Sequence, residues 1–392
     1  MSASQIRDEK EFEGLISEVA HGRISRRQFI ERAVGLGLSA TAIGAVLAAC
    51  GTTASPGGSA SPAAIDTTLP DKLLLYNWSE YMSPDVKKGF QRKYGIKVVE
   101  TFFDDNEALL AKLKSGARGW DLIVPSDYMV HIMLKTGLLQ PLDMRYIPNF
   151  KYVAAQFHNP PYDKKEENGG KKYSIPYQWG TTGIGHRKDI VTDPITKWAD
   201  LWNPKYKRRI VMLNDEREVL GSTLIMLGYP LNTTDQKQLD EAVAKDIEQK
   251  PLVLAYDSIT TRREILSGVP LVQGWTGFVL MAYDALGPQK LEYVLPQEGF
   301  PVYCDNMAIP VGAHSPYAAH LFMNYILDPK VAGQLVNFTW YHSPVPDSRP
   351  YADKIVLSFI PSEDDMKRGQ WYSDVGAFAR QWTAAWAKIK SA

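Results

Sequence analysis

The stretch that decides the fold is residues 173–185, "YSIPYQWGTTGIG". It is rich in glycine, proline and β-forming residues and lacks the periodicity of a helix. Strands and helices alternate on both sides of it, which indicates repeated βα units and mostly parallel sheets with helices on both faces. We therefore predict an α/β protein with two lobes and a strand-like crossing between them. A second crossing is expected at "PVYCDNMAIPVG", residues 301–312.

Before the crossing, three apolar runs predict strands, and each is followed by a predicted helix. The runs are "KLLLYNW", "IKVVETFF" and "WDLIVP". The first helix is the best marked, because Ser83 suits the N-cap, Pro84 suits the first helical position and Gly95 follows the end. Val86 and Phe90 recur at helical spacing and predict its buried face.

Beyond the crossing, "RRIVML", "PLVLAY" and "VPLVQGW" predict strands. Helices are expected from Glu216, near Thr260 and near Phe278, and apolar helical segments follow at residues 315–337. "DVGAFARQWTAAWAKIK" predicts a last helix whose apolar face packs on the core or on the other lobe. The lobes are expected to comprise residues 71–177 and 303–348 for the first, and residues 178–302 and 349–392 for the second.

The N-terminal segment has the features of an export signal. A twin arginine, Arg26–Arg27, precedes a weakly apolar run at residues 33–49, and this run ends in "LAAC" with Cys50. The run is short for a transmembrane helix and fits the apolar part of a signal peptide, although an uncleaved anchor is the alternative. We predict a twin-arginine lipoprotein signal peptide at residues 1–49, lipid on Cys50 and a flexible linker at residues 50–70. The mature protein would then work just outside the cytoplasmic membrane.

Composition and motifs exclude several functional classes. Lysine plus arginine number 44, which equals aspartate plus glutamate, so the 392-residue chain has no basic excess for nucleic acid. Its two cysteines, Cys50 and Cys304, provide no disulfide framework. The sequence contains no phosphate-binding loop, nucleophile elbow, dinucleotide-binding glycine motif or zinc-protease motif.

Carboxylate and aromatic residues follow the ends of separate predicted strands, where ligands bind in open α/β sheets. They include Trp78 to Tyr81, Ser126 to Tyr128, Asp215, Glu216, Glu218 and Trp275. We see no basic partner for the carboxylates at these strand ends. An organic cation needs this combination, because carboxylates pair its charge and aromatic faces attract it and cover its methylene groups. A secreted hydrolase with paired carboxylates remains an alternative.

The sequence resembles the polyamine-binding proteins of bacterial ABC importers, of the spermidine/putrescine type. The similarity covers most of residues 71–392 and includes "LYNWSEY", "IKVVETFFDDNEALLAKLKSG", "WDLIVPSDY", "YSIPYQWGTTGIG", "NDEREV", "CDNMAIP" and "GQWYSDVGA". The resemblance implies a two-lobed periplasmic-binding-protein fold of the type II kind that closes on its ligand around a hinge. It also implies a monomer that delivers its ligand to a permease with ATPase subunits, without catalysis and without a cofactor or metal.

The resemblance also implies a set of binding residues. They are Trp78, Ser79, Glu80, Tyr81, Ser126, Tyr128, Asp215, Glu218, Trp275, Tyr303, Asp305, Tyr341 and Tyr372. Glu80, Asp215 and Glu218 would pair ammonium groups, Asp305 would anchor a charged amine, and Trp275 would stack on the methylene chain. Trp78, Tyr81 and Tyr341 would form aromatic walls, Ser126 and Tyr128 would line the first lobe, and Tyr303 stands where the family often has tryptophan.

Two positions depart from the pattern of the family. Tyr372 lies where spermidine binders tend to have a polar amide, and Phe278 lies where putrescine-specialised relatives often carry aspartate. The first departure leaves the preferred chain length open, and the second argues against strict putrescine selectivity. The expected ligand is therefore spermidine, putrescine or both. A binding protein of the same fold for another organic cation or an iron complex is the alternative.

Overall fold

The computed structural model describes residues 65–392, which form one compact unit. The predicted signal peptide, the lipidation site at Cys50 and most of the predicted linker lie outside these residues. The strands are β1 (Lys72–Asn77), β2 (Lys97–Phe102), β3 (Leu122–Ile123), β4 (Ser174–Arg187), β5 (Ile210–Met212), β6 (Val253–Tyr256), β7 (Leu271–Trp275), β8 (Leu291–Val294), β9 (Phe300–Ala308) and β10 (Gly369–Trp371).

The helices alternate with these strands. They are α1 (Pro84–Tyr94), α2 (Asn106–Lys114), α3 (Asp127–Lys135), α4 (Glu216–Met226), α5 (Gln236–Gln249), α6 (Thr261–Leu266), α7 (Thr276–Leu286), α8 (Pro316–Ile326), α9 (Pro329–Thr339), α10 (Lys354–Leu357), α11 (Glu363–Met366) and α12 (Ala379–Ser391). Short 3-10 helices occupy Met144–Tyr146, Pro148–Tyr152, Ala155–Phe157, Pro161–Asp163, Trp198–Trp202, Pro204–Tyr206, Lys250–Leu252, Pro346–Tyr351 and Gly376–Phe378.

The strands form one mixed sheet in the order β2-β1-β3-β9-β4-β7-β5-β6. β1 runs parallel to β2 and β3 at one end, and β5 runs parallel to β6 and β7 at the other. The two central strands, β4 and β9, are antiparallel to each other and to the parallel groups beside them. The parallel βα units expected from the sequence therefore lie on the two sides of an antiparallel centre.

Strand β4 connects the two sides of the sheet. Its residues Ser174 to Thr181 pair with β9, and its residues Thr182 to His186 pair with β7. All of β4 and all of β9 are buried. The strands predicted at both crossings are thus present, and together they form the centre of the fold. We refer below to the β1–β3 side and the β5–β7 side, while the residue ranges of the two lobes stay a prediction.

Local sequence signals account for the first helix in detail. The Ser83 hydroxyl accepts a hydrogen bond from the Asp85 backbone N–H, Pro84 begins α1, and Gly95 follows its end with φ of 75°. A positive φ strains a residue that carries a Cβ, which explains glycine at this C-cap. Phe90 is fully buried on the inner face of the helix, as its spacing predicts.

The third strand is shorter than the sequence suggests. "WDLIVP" predicts about six residues, but only Leu122 and Ile123 form β3. Next to β3, the Asp121 side chain makes hydrogen bonds that a longer strand would make through its backbone. Its carboxylate accepts from the backbone N–H groups of Leu74, His314 and Ser315. The last predicted helix is also shorter, since α12 begins at Ala379 after a 3-10 turn.

Residues 65–392 lack two features, a membrane-spanning helix and a cluster of metal ligands. None of the helices described there has the length and apolar character that crossing a bilayer requires. The same residues contain no group of three or more histidine, cysteine, aspartate or glutamate side chains placed to hold a metal ion.

Candidate functional site

A cavity of about 810 Å³, partly open to solvent, lies where strands from both sides of the sheet end. Every binding residue implied by the resemblance lines it: Trp78, Ser79, Glu80, Tyr81, Ser126, Tyr128, Asp215, Glu218, Trp275, Tyr303, Asp305, Tyr341 and Tyr372. Residues separated by up to about 300 positions in the chain therefore meet around one space. We call this space the cleft.

The cleft also contains residues that were not predicted to bind. They are Phe103, Asp104, Asn106, Arg217, Ser258, Ile259 and Phe278. Phe103 and Asp104 follow β2, and Ser258 and Ile259 follow β6. The rule that ligand sites form at the carboxyl ends of strands applies to β2 and β6 as well, and it therefore predicts these four residues.

Asp305 is the best-supported carboxylate on the β1–β3 side. Its Oδ2 accepts a hydrogen bond of 2.8 Å from the Tyr81 hydroxyl, and its Oδ1 accepts one of 2.6 Å from the Ser126 hydroxyl. Asn106 holds Ser126 in place through its side-chain amide. Burial raises the pKa of Asp305 to about 6, although the two hydroxyls oppose the shift. The two hydroxyls thus favour the charged form of Asp305, whereas burial disfavours it.

The opening of the cleft on the same side is formed by Trp78 and Glu80. The Trp78 indole N–H donates to the Val124 carbonyl at 2.9 Å, and the indole packs on the Phe103 ring. Glu80 is exposed and has φ of 55°, a left-handed conformation that is uncommon for a residue with a side chain. Its side chain lines the cleft and is open to solvent.

Glu218 is the central carboxylate of the β5–β7 side. Its Oε1 accepts a hydrogen bond of 2.7 Å from the Trp275 indole N–H. Its buried Oε2 makes no hydrogen bond of normal geometry within residues 65–392, although the nearby Thr182 and Tyr372 hydroxyls favour the charged carboxylate and oppose the rise in its pKa. Burial, followed by the charge of Asp215, raises the pKa of Glu218 to about 7. Asp215 caps α4 by accepting from the backbone N–H groups of Arg217 and Glu218, and removal from water raises its pKa as well.

Arg217 corrects one inference from the sequence. We saw no basic partner at the strand ends, but the Arg217 side chain lines the cleft and is only 5% exposed. Its guanidinium lies over the rings of Tyr128, Tyr372 and Trp382 at 4.8, 5.4 and 4.8 Å from their centroids. It also donates to the Asn232 side-chain oxygen and the Ser373 carbonyl. The carboxylates therefore share the cleft with one cation that is held by aromatic faces.

Aromatic rings cover the floor between the carboxylates. Tyr341 packs edge-on against Tyr81 at 5.0 Å and lies 6.3 Å from both Tyr303 and Phe278. Gly277 makes this packing possible, because a Cβ there would collide with the Tyr341 ring and with a backbone carbonyl. Trp78 and Trp275, from opposite sides of the cleft, approach with ring centroids 6.2 Å apart. The cleft thus combines flat apolar faces with carboxylates on both sides.

A sequence profile of the bacterial extracellular solute-binding proteins matches residues 86–356. The chain belongs to that family. Its members are solute-binding proteins of bacterial transport systems.

Two relatives and two solved structures place the chain more closely. It is 35% identical to the spermidine/putrescine-binding periplasmic protein of Salmonella typhimurium over 82% of this chain and 92% of the relative. It is 29% identical to a putrescine-binding periplasmic protein of Pseudomonas aeruginosa over 81% of this chain and 92% of the relative. The resemblance to polyamine-binding proteins of ABC importers is thereby confirmed.

The solved structures confirm the fold. A putative spermidine/putrescine ABC transporter protein from Listeria monocytogenes superimposes with a TM-score of 0.77 and 31% identity, covering 82% of this chain and 99% of that one. The TpPotD lipoprotein of Treponema pallidum gives a TM-score of 0.73 and 30% identity over 81% and 99% of the two chains. The periplasmic-binding-protein fold expected from the sequence is correct.

Proposed function

We propose that this protein captures polyamines, spermidine or putrescine or both, in the cleft. The observation that carries the proposal is the arrangement of five carboxylates, Glu80, Asp104, Asp215, Glu218 and Asp305, around one cavity walled by aromatic rings. A desolvated ammonium group needs a paired carboxylate, and a methylene chain needs apolar cover. The names of the relatives support the same ligand class.

The ligand would lie between the two sides of the sheet. One ammonium group would pair with Asp305, whose oxygens are already oriented by two hydroxyls, and another would supply a close donor to Glu218 Oε2. The indoles of Trp78 and Trp275 would cover the chain between them, each contributing about 0.5–2 kcal/mol where a cation faces its ring. Asp215 and Glu80 would compensate charge nearer the opening.

Binding would couple to closure of two lobes, the first comprising residues 71–177 and 303–348 and the second residues 178–302 and 349–392. Asp305 lies on the β1–β3 side and Glu218 on the β5–β7 side, so one polycation contacts both only when they approach. Without ligand the buried carboxylates oppose that approach, because their charges lose water without gaining a partner. The ligand thus selects the closed state by its greater affinity for it.

The transport role follows from the family and from the N-terminal sequence. We expect export, lipid on Cys50, a flexible linker and delivery of the ligand, by a monomer, to a permease with ATPase subunits. "LAAC" after the apolar run supports lipidation, and one structural relative is itself a lipoprotein. No cofactor enters this function.

Calorimetric titration of purified residues 65–392 with putrescine, spermidine and spermine tests the ligand. We expect saturable 1:1 binding of at least one of them. Absence of binding by all three would reject polyamines, and titration with other organic cations and ferric complexes would follow. Turnover of a glycan panel would instead support a carboxylate-pair hydrolase.

Lipidation is tested by Cys50→Ser in the full chain. We expect this variant to leave the membrane fraction and appear in the soluble exported fraction, because the thiol that carries the lipid is gone. Cys304→Ser serves as the matched control, since Cys304 is fully buried in β9 and lies 254 residues after Cys50 in the sequence. Undiminished membrane retention of Cys50→Ser would contradict lipidation at this residue.

A further inference from the structure

A basic surface lies at the end of β5 and β6 that is opposite the cleft. Four of the five residues at 205–209, "KYKRR", are basic, and they directly precede β5. Ile210, which begins β5, pairs in parallel with Val253, which begins β6, so the basic segment lies where the amino ends of these strands meet. The cleft lies at their carboxyl ends, because Asp215 and Ser258, which line it, follow the two strands.

Helix α12 brings further basic residues to the same place. Lys250, just before β6, donates from its Nζ to the backbone carbonyls of Ile389 and Lys390, at 2.9 and 2.6 Å. These carbonyls belong to the last turn of α12, which also carries Lys388. Arg208 and Lys250 line one open cavity of about 820 Å³. We define the basic face as the residues Lys207, Arg208, Arg209, Lys250, Lys388 and Lys390.

The charge of the basic face is not neutralised by acidic side chains. Among the ion pairs of residues 65–392, none joins any of its six residues to an aspartate or glutamate. Glu248, two residues before Lys250, pairs instead with Lys245, and Asp193 pairs with Lys205. Four of the six side chains are exposed to solvent, and the other two are half-buried. The chain as a whole has no net charge, so this concentration of cations is local.

An exposed apolar side chain lies beside these cations. Leu254 of β6 is 39% exposed and lines the same open cavity as Arg208 and Lys250. β6 is the last strand in the order of the sheet, and the outer positions Leu254 and Ala255 are both exposed. Protein surfaces that bind anionic membranes combine lysine and arginine with apolar side chains in this way.

We propose that the basic face binds the anionic phospholipid surface of a membrane. A lysine or arginine near an anionic leaflet strengthens binding by roughly fivefold, so several together give a measurable affinity. The contact leaves the cleft accessible, because the cleft lies at the other end of β5 and β6. The same separation argues against a permease as the partner of this face, since a permease that receives the ligand has to reach the cleft.

The proposed lipid on Cys50 would cooperate with this contact. A tether to the bilayer raises the local concentration of lipid head groups around the protein, so a weak surface contact is populated more often. The basic face would then fix the orientation of the tethered protein, with the cleft free to capture a polyamine.

The test is cosedimentation of residues 65–392 with vesicles of phosphatidylglycerol and phosphatidylcholine in equal parts. These residues do not include Cys50, so the result does not depend on lipidation. Binding should be at least roughly tenfold stronger than to vesicles of phosphatidylcholine alone. It should fall as sodium chloride rises from about 0.05 to about 0.5 M, because salt screens contacts between exposed charges.

The variant Lys207→Gln/Arg208→Gln/Arg209→Gln removes three cations of the basic face. We expect it to bind the anionic vesicles at least roughly tenfold more weakly than the wild type. Its affinity for spermidine, titrated without vesicles, should be unchanged, because the basic face lies opposite the cleft. If circular dichroism shows that this variant does not fold, Lys388→Gln/Lys390→Gln removes two exposed cations from α12 and should weaken vesicle binding by roughly fivefold or more.

The matched control is Lys112→Gln/Lys114→Gln/Lys165→Gln, which removes the same charge from exposed positions between β2 and β4. It should change vesicle binding by less than about twofold. Equal binding of the wild type to both kinds of vesicle, or wild-type binding by the folded variant of the basic face, would overturn the proposal. Binding of heparin, a soluble polyanion, without binding of vesicles would also overturn it and would assign the face to a different anionic partner. Absence of spermidine binding by the wild type would instead reject the proposed function.

Discussion

The two sides of the cleft each contribute a buried carboxylate, but they prepare it differently. Asp305 accepts one hydroxyl hydrogen bond on each oxygen, from Tyr81 and Ser126. Glu218 accepts the Trp275 indole N–H on one oxygen, and its other oxygen makes no hydrogen bond of normal geometry within residues 65–392. The pKa is raised by burial to about 6 for Asp305 and to about 7 for Glu218.

This difference in hydrogen bonding indicates that the two carboxylates have different roles in binding. Asp305 is oriented before the ligand arrives, so it can fix the position of one amine at small reorganisation cost. Glu218 Oε2 has only the loosely placed Thr182 and Tyr372 hydroxyls beside it, so a ligand ammonium group would be its first close donor. Under the proposed function the β5–β7 side would therefore gain more from the ligand, and this gain would couple binding to closure.

The largest expected effect is that of Asp305→Asn. The change keeps the size and removes the charge, and it places an amide N–H against a hydroxyl donor. We expect spermidine binding to weaken by about 2–5 kcal/mol, as for half of a buried charge pair. Calorimetry measures the loss, with Glu167→Gln on the exposed surface as a control for net charge. A loss below about 0.5 kcal/mol would mean that Asp305 has only a structural role.

A smaller loss is expected from Glu218→Gln. The Trp275 indole can still donate to the amide oxygen, so the orientation of the side chain is kept. Oε2 is replaced by an N–H group that cannot accept from an ammonium group, and we expect a loss of about 2 kcal/mol. Binding equal to that of the wild type would place the second amine elsewhere and would remove the contrast between the two sides.

Substitutions of Trp275 should give a graded series. Trp275→Ala loses apolar cover, the π-face and the hydrogen bond to Glu218, and we expect it to weaken binding by about 2 kcal/mol. Trp275→Leu should be intermediate. Trp275→Phe keeps a ring but loses the N–H donor, for a cost of about 1 kcal/mol. The melting temperature distinguishes a binding role from a packing role. A large fall in stability with normal binding would make Trp275 a core residue.

Binding should also depend on pH. A raised carboxyl pKa means that the ligand-free closed site holds protons, which a bound polyamine must displace. Affinity should therefore fall by up to about tenfold as the pH decreases from about 8 to about 6, and titrations in buffers of different ionisation enthalpy should detect proton release. An affinity independent of pH over this range would contradict the assignment.

Stability without ligand should change in the opposite sense. The folded protein binds more protons than the unfolded chain between pH about 4, where free carboxyls titrate, and the raised pKa values of about 6 and 7. The stabilisation from the protonated carboxyls is present at low pH and lost as the pH rises through those values. Saturating polyamine should restore the lost stability at the upper end of this pH range.

Much of the fold and of the cleft could be predicted because their signals are local. The Ser83–Pro84 start and the Gly95 end of α1 depend on neighbouring residues, and residues after strands reach a common edge whatever their distance along the chain. Helix α5 was not predicted, although Asp235 caps it through two backbone N–H groups.

The details that were missed depend on contacts distant in sequence. Arg217 lies between Asp215 and Glu218 in "NDEREV", so the strand-end rule applies to it as well, but the motif does not reveal that Tyr128, Tyr372 and Trp382 hold its guanidinium. The orientation of Glu218 depends on Trp275, which follows 57 residues later. Such pairings arise from packing between elements, which periodicity and capping patterns do not encode.

The central claim, that one polyamine bridges two unequal carboxylates, is tested most directly by a crystal structure of residues 65–392 with spermidine. We expect one ligand nitrogen within about 3 Å of Glu218 Oε2 and another at a similar distance from an Asp305 oxygen, with the chain between Trp78 and Trp275. A ligand bound outside the cleft, or inside it with no nitrogen near Glu218 Oε2, would contradict the account.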